Sequence, residues 1–196
     1  GIDNKDVDLR ATNIRLSSSG TTFDCIFKGD NNKYTFTTKL LGKHNVYNIL
    51  DGILLGNELG LTKEELKSGV KSIKPIEHRL ELKKYGNINI IDDAYNSNPV
   101  GSKAALEVLG LMDGVRIVVT PGMIELGDKQ YELNKKFGEY MSEVSDYVIL
   151  IGKKQTKPIY EGLIEKEFSD KKIFILNDVR EAFPLMNRLA SKENKE

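Results

Sequence analysis

The segment Tyr147-Val148-Ile149-Leu150-Ile151 is an uncharged run that ends at Gly152, and it decides the fold class. Ile117-Val118-Val119 has the same character. Short apolar runs of this kind are typical of parallel strands that helices cover on both faces. Strand and helix patterns alternate on either side of these runs. The sequence therefore predicts a doubly wound, Rossmann-like α/β domain.

The alternation of strand and helix patterns extends from residue 80 to residue 189. The predicted strands are Leu80–Tyr85, Ile88–Asp92, Arg116–Thr120, Tyr147–Ile151 and Lys172–Leu176, and the predicted helices are Val100–Leu111, Lys129–Ser142, Thr156–Lys166 and Val179–Leu189. Gly86-Asn87 predicts a tight hairpin turn between the first two strands. The polar tail Ser191–Glu196 is predicted to fray.

The first part of the chain follows another plan, with strands before helices. Period-two alternation predicts a β-meander over Arg10–Leu16, Thr22–Phe27 and Lys33–Leu40. Helical spacing follows, and Gly60 suits the end of the first helix. Thr62 and Glu65 predict a capping box at the start of a second helix. Because Lys74–Glu77 has the character of a linker, we predict two domains, residues 1–76 and 77–196.

Composition narrows the classes of function. The chain has 29 basic and 29 acidic residues, and this balance argues against a nucleic-acid binder, which usually carries a basic excess. With Cys25 as the only cysteine, neither an intramolecular disulfide nor a cysteine-based zinc site can form. The apolar runs are too short to span a bilayer. The 196 residues contain no GxxxxGK[ST] phosphate loop and no GxGxxG after a strand, and the two histidines have no metal-ligand spacing.

Several loops at predicted strand ends or helix starts carry groups suited to a ligand. They are Gly42–Asn48, Glu77–Glu81, Asp92–Pro99, Thr120–Asp128 and Ile151–Lys154. Ligands of open α/β sheets bind beyond the carboxyl ends of the strands. Each loop also has a purely structural explanation, as a helix cap, a surface charge cluster or a glycine-rich turn. These structural explanations do not account for the two carboxylates and the tyrosine of Asp92–Pro99. They also account for only one of the two amides Asn45 and Asn48.

Four of these segments resemble motifs of the Mur ligase family. Gly42–Asn48 resembles the G-x-H-N-x-x-N helix start of the central domain, and His78-Arg79-Leu80-Glu81 resembles the start of the C-terminal domain. Asp92–Pro99, DDAYNSNP, is similar to the DDSYNANP signature of the branch that adds D-alanyl-D-alanine, the MurF branch. Gly122–Gly127, GMIELG, resembles the GDMxELG of that branch. The resemblance covers nearly the whole chain, in the same order and spacing.

The resemblance implies the latter part of a central ATPase domain, a small strand-plus-helix remnant, followed by a C-terminal domain truncated at its end. It implies a cytoplasmic ligase of peptidoglycan precursor synthesis that joins D-alanyl-D-alanine to UDP-N-acetylmuramoyl-tripeptide, using ATP and Mg²⁺. Membrane and nucleic acid are not among the implied partners. The implied nucleotide-binding residues are Asn45, Asn48, His78, Arg79 and Asp93. The implied residues of the substrate cleft are Tyr95, Asn96, Asn98, Gly122 and Glu125. No catalytic residue or metal ligand is assigned within this chain.

The chain also departs from the family pattern. The phosphate loop and the magnesium ligands of the family should precede Gly1, and Pro121-Gly122 stands where glycine and aspartate are frequent. We therefore expect the chain alone to be inactive. Three alternatives stay open. One is another ligase of the Mur or folylpolyglutamate type, which would share the asparagine and arginine positions. The others are a nucleotide-binding module without catalysis and a structural α/β domain without a ligand.

Overall fold

The computed structural model describes residues 1–86 and 88–193. The chain divides into two compact units, Gly1–Tyr95 and the part from Asn96 onward. The predicted domain boundary between residues 76 and 77 rests on the linker character of Lys74–Glu77 rather than on compactness, and it stays a prediction.

The first unit begins with an antiparallel sheet of three strands. These are β1 (Leu9–Ser17), β2 (Gly20–Phe27) and β3 (Tyr34–Thr38), in the order β1-β2-β3. The predicted meander is thereby confirmed. The register between β1 and β2 shifts between Thr12 and Arg15, and Asn13 in this bulge has a φ of 49°. Asparagine is one of the residues that tolerate this left-handed conformation.

Two helices pack against the meander to form the first core. They are α1 (Lys43–Glu58) and α2 (Lys63–Ser72), and their apolar sides meet Phe23, Cys25 and Phe36. Burial raises the pKa of the Cys25 thiol to about 12, which suits a structural thiol rather than a nucleophile. The predicted capping box at Thr62 and Glu65 is present in full. Gly60, with a φ of 89°, ends α1 as predicted.

A hairpin completes the first unit. Its strands are β4 (Glu81–Tyr85) and β5 (Ile88–Asp92), paired antiparallel with Glu81 opposite Asp92. The predicted pairing of these strands is confirmed, while the predicted turn residue Asn87 lies outside the described residues. The hairpin forms a sheet of its own among the described strands. Its two ends carry the motifs His78–Glu81 and Asp92–Pro99, which is why those motifs meet.

The second unit alternates helices with a parallel sheet. In chain order the elements are α3 (Pro99–Leu109), β6 (Ile117–Thr120), α4 (Gln130–Val144), β7 (Tyr147–Ile151), α5 (Lys157–Glu165), β8 (Ile173–Leu176) and α6 (Ala182–Glu193). The strand order is β6-β7-β8, all parallel. The last helix starts later than predicted, because Val179–Glu181 is a separate 3₁₀ turn that Asp178 caps.

Helices cover both faces of this parallel sheet, as predicted. Val148 and Leu150 of β7 pack with residues of α3, α4 and α5 in one core. Ile149 points to the opposite face and packs against α6 in another core. The central strand is therefore buried on both sides, which explains its uninterrupted apolar sequence. Within the described part of the chain, no helix has the length and apolar character needed to cross a bilayer.

Candidate functional site

The first cluster of candidate residues lies at the start of α1. Gly42 precedes the helix with a φ of 86°, and no side chain caps the helix. The Asn45 Nδ2 donates to the Leu41 carbonyl over 2.8 Å. The Asn48 amide lies beside it, with 3.5 Å between Asn48 Nδ2 and Asn45 Oδ1, which is long for a hydrogen bond. The structure thus brings the two amides together and leaves the exposed Asn48 amide with donor and acceptor capacity.

A strained turn at His78–Leu80 forms the second cluster. His78 has a φ of 60° and Leu80 a φ of 48°, which is rare for a bulky residue. Such conformations persist only where the surroundings enforce them, and they concentrate at functional sites. The residues that follow β5 provide the restraint here. The Leu80 N–H donates to Asp93 Oδ1 over 3.1 Å, and the Tyr95 N–H donates to the His78 carbonyl over 3.2 Å.

Arg79 lies at the centre of this turn and is exposed. Its Cζ is 4.3 Å from the centroid of the Tyr95 ring, a cation–π contact that orients the guanidinium. No described carboxylate forms a salt bridge with Arg79. The five N–H groups of the guanidinium therefore keep their capacity to bind an anion such as a phosphate.

The two adjacent carboxylates that end β5 have different surroundings. Asp92 accepts from His78 Nδ1 over 2.8 Å and from Lys83 Nζ over 2.6 Å. Burial alone would raise the pKa of Asp92, but the hydrogen bonds from Lys83, His78 and the Ala94 N–H outweigh it and lower the pKa. Burial raises the pKa of Asp93. The hydrogen bond from the Leu80 N–H and the nearby His44 and Arg79 lower this pKa, but they offset only part of the effect of burial.

His44 is a residue of this region that the sequence analysis left without a role. It is half-buried, and burial lowers its pKa, while the negative charge of Asp93 acts in the other direction. The His44 Nδ1 is buried and has no hydrogen-bond partner among the described residues. A buried ring nitrogen without a partner costs free energy. The only signal in the sequence was the position of His44 within the Gly42–Asn48 motif.

The raised pKa of Asp93 predicts a stability effect of fixed sign. Below the ordinary aspartate pKa of 3.8 the carboxyl is mostly protonated in both the folded and the unfolded chain. As pH rises through the folded pKa, ionisation of the half-buried group costs folded-state stability. We therefore expect Asp93→Asn, which keeps an acceptor for the Leu80 N–H, to be more stable than the wild type at about pH 7 and equal to it at about pH 3.

Urea unfolding of both chains at the two pH values measures this difference. Asp113→Asn, at an exposed aspartate of the second unit, is the matched control and should leave stability unchanged at both. A lower stability of Asp93→Asn at neutral pH would show that the Asp93 charge stabilises the fold instead.

The second unit holds the other predicted site residues. Asn98 caps α3 by accepting from the Gly101 N–H over 2.9 Å, and Asn96 is exposed. Asn134 of α4 holds the segment after β6 through two hydrogen bonds. Its side-chain oxygen accepts from the Met123 N–H over 2.8 Å, and its amide nitrogen donates to the Met123 carbonyl. Asn134 was missed because a single polar residue in a helix pattern gives no signal.

Backbone conformation sets the shape of the segment after β6. Gly122 is buried with a φ of 84°, and a Cβ there would lie 3.0 Å from Asn134 Oδ1 and 3.3 Å from Ile159 Cδ1. Glycine is therefore required at position 122 for both conformation and space. Glu125 is exposed, and its φ of 60° is also left-handed. Positive φ angles thus recur in the predicted ligand loop Thr120–Asp128.

Comparison with known protein families assigns the two halves of the chain. Residues 78–194 match the family model described as Mur ligase, glutamate ligase domain. Residues 1–56 match the model of the Mur ligase middle domain. The chain belongs to the Mur ligase family. The resemblance of its motifs to this family is thereby confirmed, and the strained turn at His78–Leu80 lies at the start of the match to the glutamate ligase domain.

Individual Mur ligases give the same result. The UDP-N-acetylmuramoyl-tripeptide–D-alanyl-D-alanine ligase of Bacillus subtilis is 32% identical over 189 residues, which cover 94% of this chain and 40% of that protein. A crystal structure of MurF from Acinetobacter baumannii superposes with a TM-score of 0.81 at 24% identity, covering 97% of this chain and 40% of that one. The MurF ligase of Thermotoga maritima in complex with ADP gives 0.72 at 20% identity, covering 89% and 38%. The chain thus spans about two fifths of the length of these relatives.

Proposed function

We propose that this chain contributes part of the nucleotide-binding site of an ATP-dependent amide ligase of the MurF type. The observation that carries the proposal is the set of hydrogen bonds between the His78–Leu80 turn and the residues after β5. These bonds hold the turn so that Arg79 is exposed and lies against the Tyr95 ring. Arg79 belongs to the same compact unit as the amides of α1. The reaction would be the one named for the Bacillus subtilis relative, which joins D-alanyl-D-alanine to UDP-N-acetylmuramoyl-tripeptide. In such a reaction ATP converts a carboxylate to an acyl phosphate, and the dipeptide amine then displaces phosphate.

The proposed nucleotide contacts follow from the chemistry of each group. Asn45 and Asn48 offer paired amide donors and acceptors, which suit the edge of adenine. Arg79 offers a preorganised fork of donors for a phosphate. The Asp93 carboxylate can accept hydrogen bonds from the ribose hydroxyls. His78 is proposed to contact the nucleotide beside Asp93. ADP is present in the Thermotoga maritima structure, which supports a nucleotide in this family.

The remaining predicted residues are proposed for the acceptor substrate and for positioning. Tyr95, Asn96, Asn98, Gly122 and Glu125 belong to loops in which backbone and polar side chains are available for a dipeptide. The described residues contain no group of three His, Cys, Asp or Glu side chains that could hold a metal ion. We propose no residue of this chain as a ligand of Mg²⁺, which would enter with the nucleotide.

A titration of the chain with ADP tests the proposal. We expect chemical-shift changes in the NMR spectrum at Asn45, Asn48 and Arg79, and weak binding, because no GxxxxGK[ST] loop is present to grip the phosphates. For the same reason the chain alone should not hydrolyse ATP. Magnesium-dependent turnover by the purified chain would contradict this expectation. ADP-induced shifts confined to other residues would contradict the assigned site.

The native reading frame and a ligation assay separate the alternatives. A GTxGKT-type loop encoded upstream of Gly1 would support the ligase, whereas an in-frame start near Gly1 would support a non-catalytic nucleotide-binding module. If the longer protein exists, it should ligate D-alanyl-D-alanine to UDP-N-acetylmuramoyl-tripeptide in preference to single amino acids. Preference for L-alanine or glutamate would instead indicate another ligase of the Mur or folylpolyglutamate type.

A further inference from the structure

Asp92 differs from its neighbour Asp93 in having its lone pairs largely occupied within the protein. Its Oδ2 accepts from His78 Nδ1 and Lys83 Nζ, and its Oδ1 accepts from the Ala94 N–H over 3.3 Å. Only 16% of its side chain is exposed. A carboxylate has about four acceptor positions, so three of them are already filled. Asp92 is therefore poorly suited to contact a ligand directly, and its effect on a ligand must pass through the groups that it holds.

The contact between Asp92 and His78 determines which nitrogen of the ring carries the proton. An ionised carboxylate only accepts hydrogen bonds, so His78 Nδ1 must donate. In the neutral ring the other nitrogen, Nε2, is then left with a lone pair. Half of the His78 side chain is exposed, so a ligand can reach the ring. The charged groups that face His78 are Asp92 and Glu81, whose Oε2 accepts from the His78 N–H, with Lys83 bridging the two carboxylates.

The same contact restrains the strained turn. His78 and Leu80 both have a positive φ, and this conformation needs support from the surroundings. Asp92 holds the His78 side chain, while the Asp93 side chain and the Tyr95 N–H hold the backbone on either side of Arg79. The two carboxylates therefore act on the same turn through different atoms.

We propose that Asp92, supported by Lys83, is a positioning residue that fixes His78 as the Nδ1–H tautomer and leaves Nε2 to accept a hydrogen bond from a nucleotide hydroxyl. The part concerning the nucleotide rests on the proposed function. The part concerning the tautomer does not, since it depends only on groups within the first unit.

The tautomer can be observed directly by NMR in the ¹⁵N-labelled chain without any ligand. The chain has only two histidines, so a His44→Gln variant assigns the signals. The spectra are recorded at an alkaline pH at which the ring ¹⁵N shifts no longer change with pH, so that the neutral ring is observed. We expect His78 to be protonated at Nδ1 in the wild type and to shift to the Nε2–H tautomer in Asp92→Ala. Finding the Nε2–H tautomer in the wild type would overturn the proposal, as would an unchanged tautomer in Asp92→Ala.

A second pair of variants tests the role of Lys83 and keeps Asp92 in place. Lys83→Met removes the charge that neutralises Asp92 but retains an apolar stem. Lys84→Met, at the next and exposed residue of β4, is the matched control. Because Lys83 and His78 share the same oxygen of Asp92, we expect the His78 Nδ1–H signal to move in Lys83→Met and to stay in place in Lys84→Met. An unchanged Nδ1–H signal in Lys83→Met would remove Lys83 from the proposal.

Binding of ADP supplies the last readout. We expect Asp92→Ala to weaken ADP binding about 10-fold, as for the loss of one positioned hydrogen bond. Unchanged affinity together with a changed tautomer would show that His78 does not contact the nucleotide. If the wild type binds no ADP while the tautomer responds as expected, the proposed function fails and the positioning role of Asp92 remains.

Discussion

Gly138→Ala is expected to destabilise the second unit by ~3 kcal/mol or more, because α4 and α5 pack backbone to backbone at this position. A Cβ at Gly138 in α4 would collide with the carbonyl oxygen of Ile159 and lie 2.9 Å from its carbonyl carbon. Gly162 of α5 is placed reciprocally, and a Cβ there would collide with the Lys135 carbonyl oxygen. The obstructing atoms are backbone, so no side-chain rotation can relieve the overlap, and the two helices would have to move apart.

Gly52→Ala is the matched control, because Gly52 also lies inside a helix. No atom lies within 4 Å of a Cβ built there. Replacing glycine by alanine at an open helical position should stabilise the chain by about 0.5–1 kcal/mol. Urea unfolding followed by residue-resolved NMR separates the two units, which need not unfold together. A Gly138→Ala chain as stable as the wild type would show that α4 and α5 are less closely packed than described.

Much of the fold was predictable because its signals are local. Alternation in β1 and β2 required only neighbouring residues, and the capping box at Thr62 is a four-residue pattern. The apolar run of β7 indicated burial on both faces, which α5 and α6 provide. The paired amides of Asn45 and Asn48 followed from helical spacing alone. Each of these features is determined by residues that are close in sequence, so the period of the pattern was sufficient.

The parts that were not predictable depend on residues distant in sequence. The contact of α4 with α5 through Gly138 and Gly162 is invisible in a helix pattern, where glycine signals only weakness. The separate roles of Asp92 and Asp93 depend on the register of the β4–β5 hairpin, which places Glu81 opposite Asp92. The positive φ of Leu80 opposes the ordinary preference of leucine, and long-range hydrogen bonds impose it. The unpaired His44 nitrogen likewise follows only from tertiary packing.

Arg79→Ala is expected to have the largest effect on ligand binding, weakening the affinity for ADP by about 10- to 100-fold. Arg79 is exposed, stacks on Tyr95 and forms no salt bridge with a described carboxylate, so its charge is available for a phosphate. Arg79→Lys should restore only part of the affinity, because a single ammonium group cannot reproduce the planar fork of donors. The wild-type affinity should fall as ionic strength rises, and this dependence should be weaker in Arg79→Ala.

The neighbouring tyrosine and a distant arginine distinguish a phosphate contact from a general loss of positive charge. Tyr95→Leu removes the ring that orients Arg79 and should weaken binding about 3-fold, in line with an exposed cation–π contact. Arg180→Ala removes an exposed arginine that pairs with Asp178 in the second unit, and ADP affinity should not change. If Arg79→Ala bound ADP as tightly as the wild type while Asn45→Ala did not, the strained turn would be positioned for another ligand, and the acyl-acceptor substrate would be the next to test on the same variants.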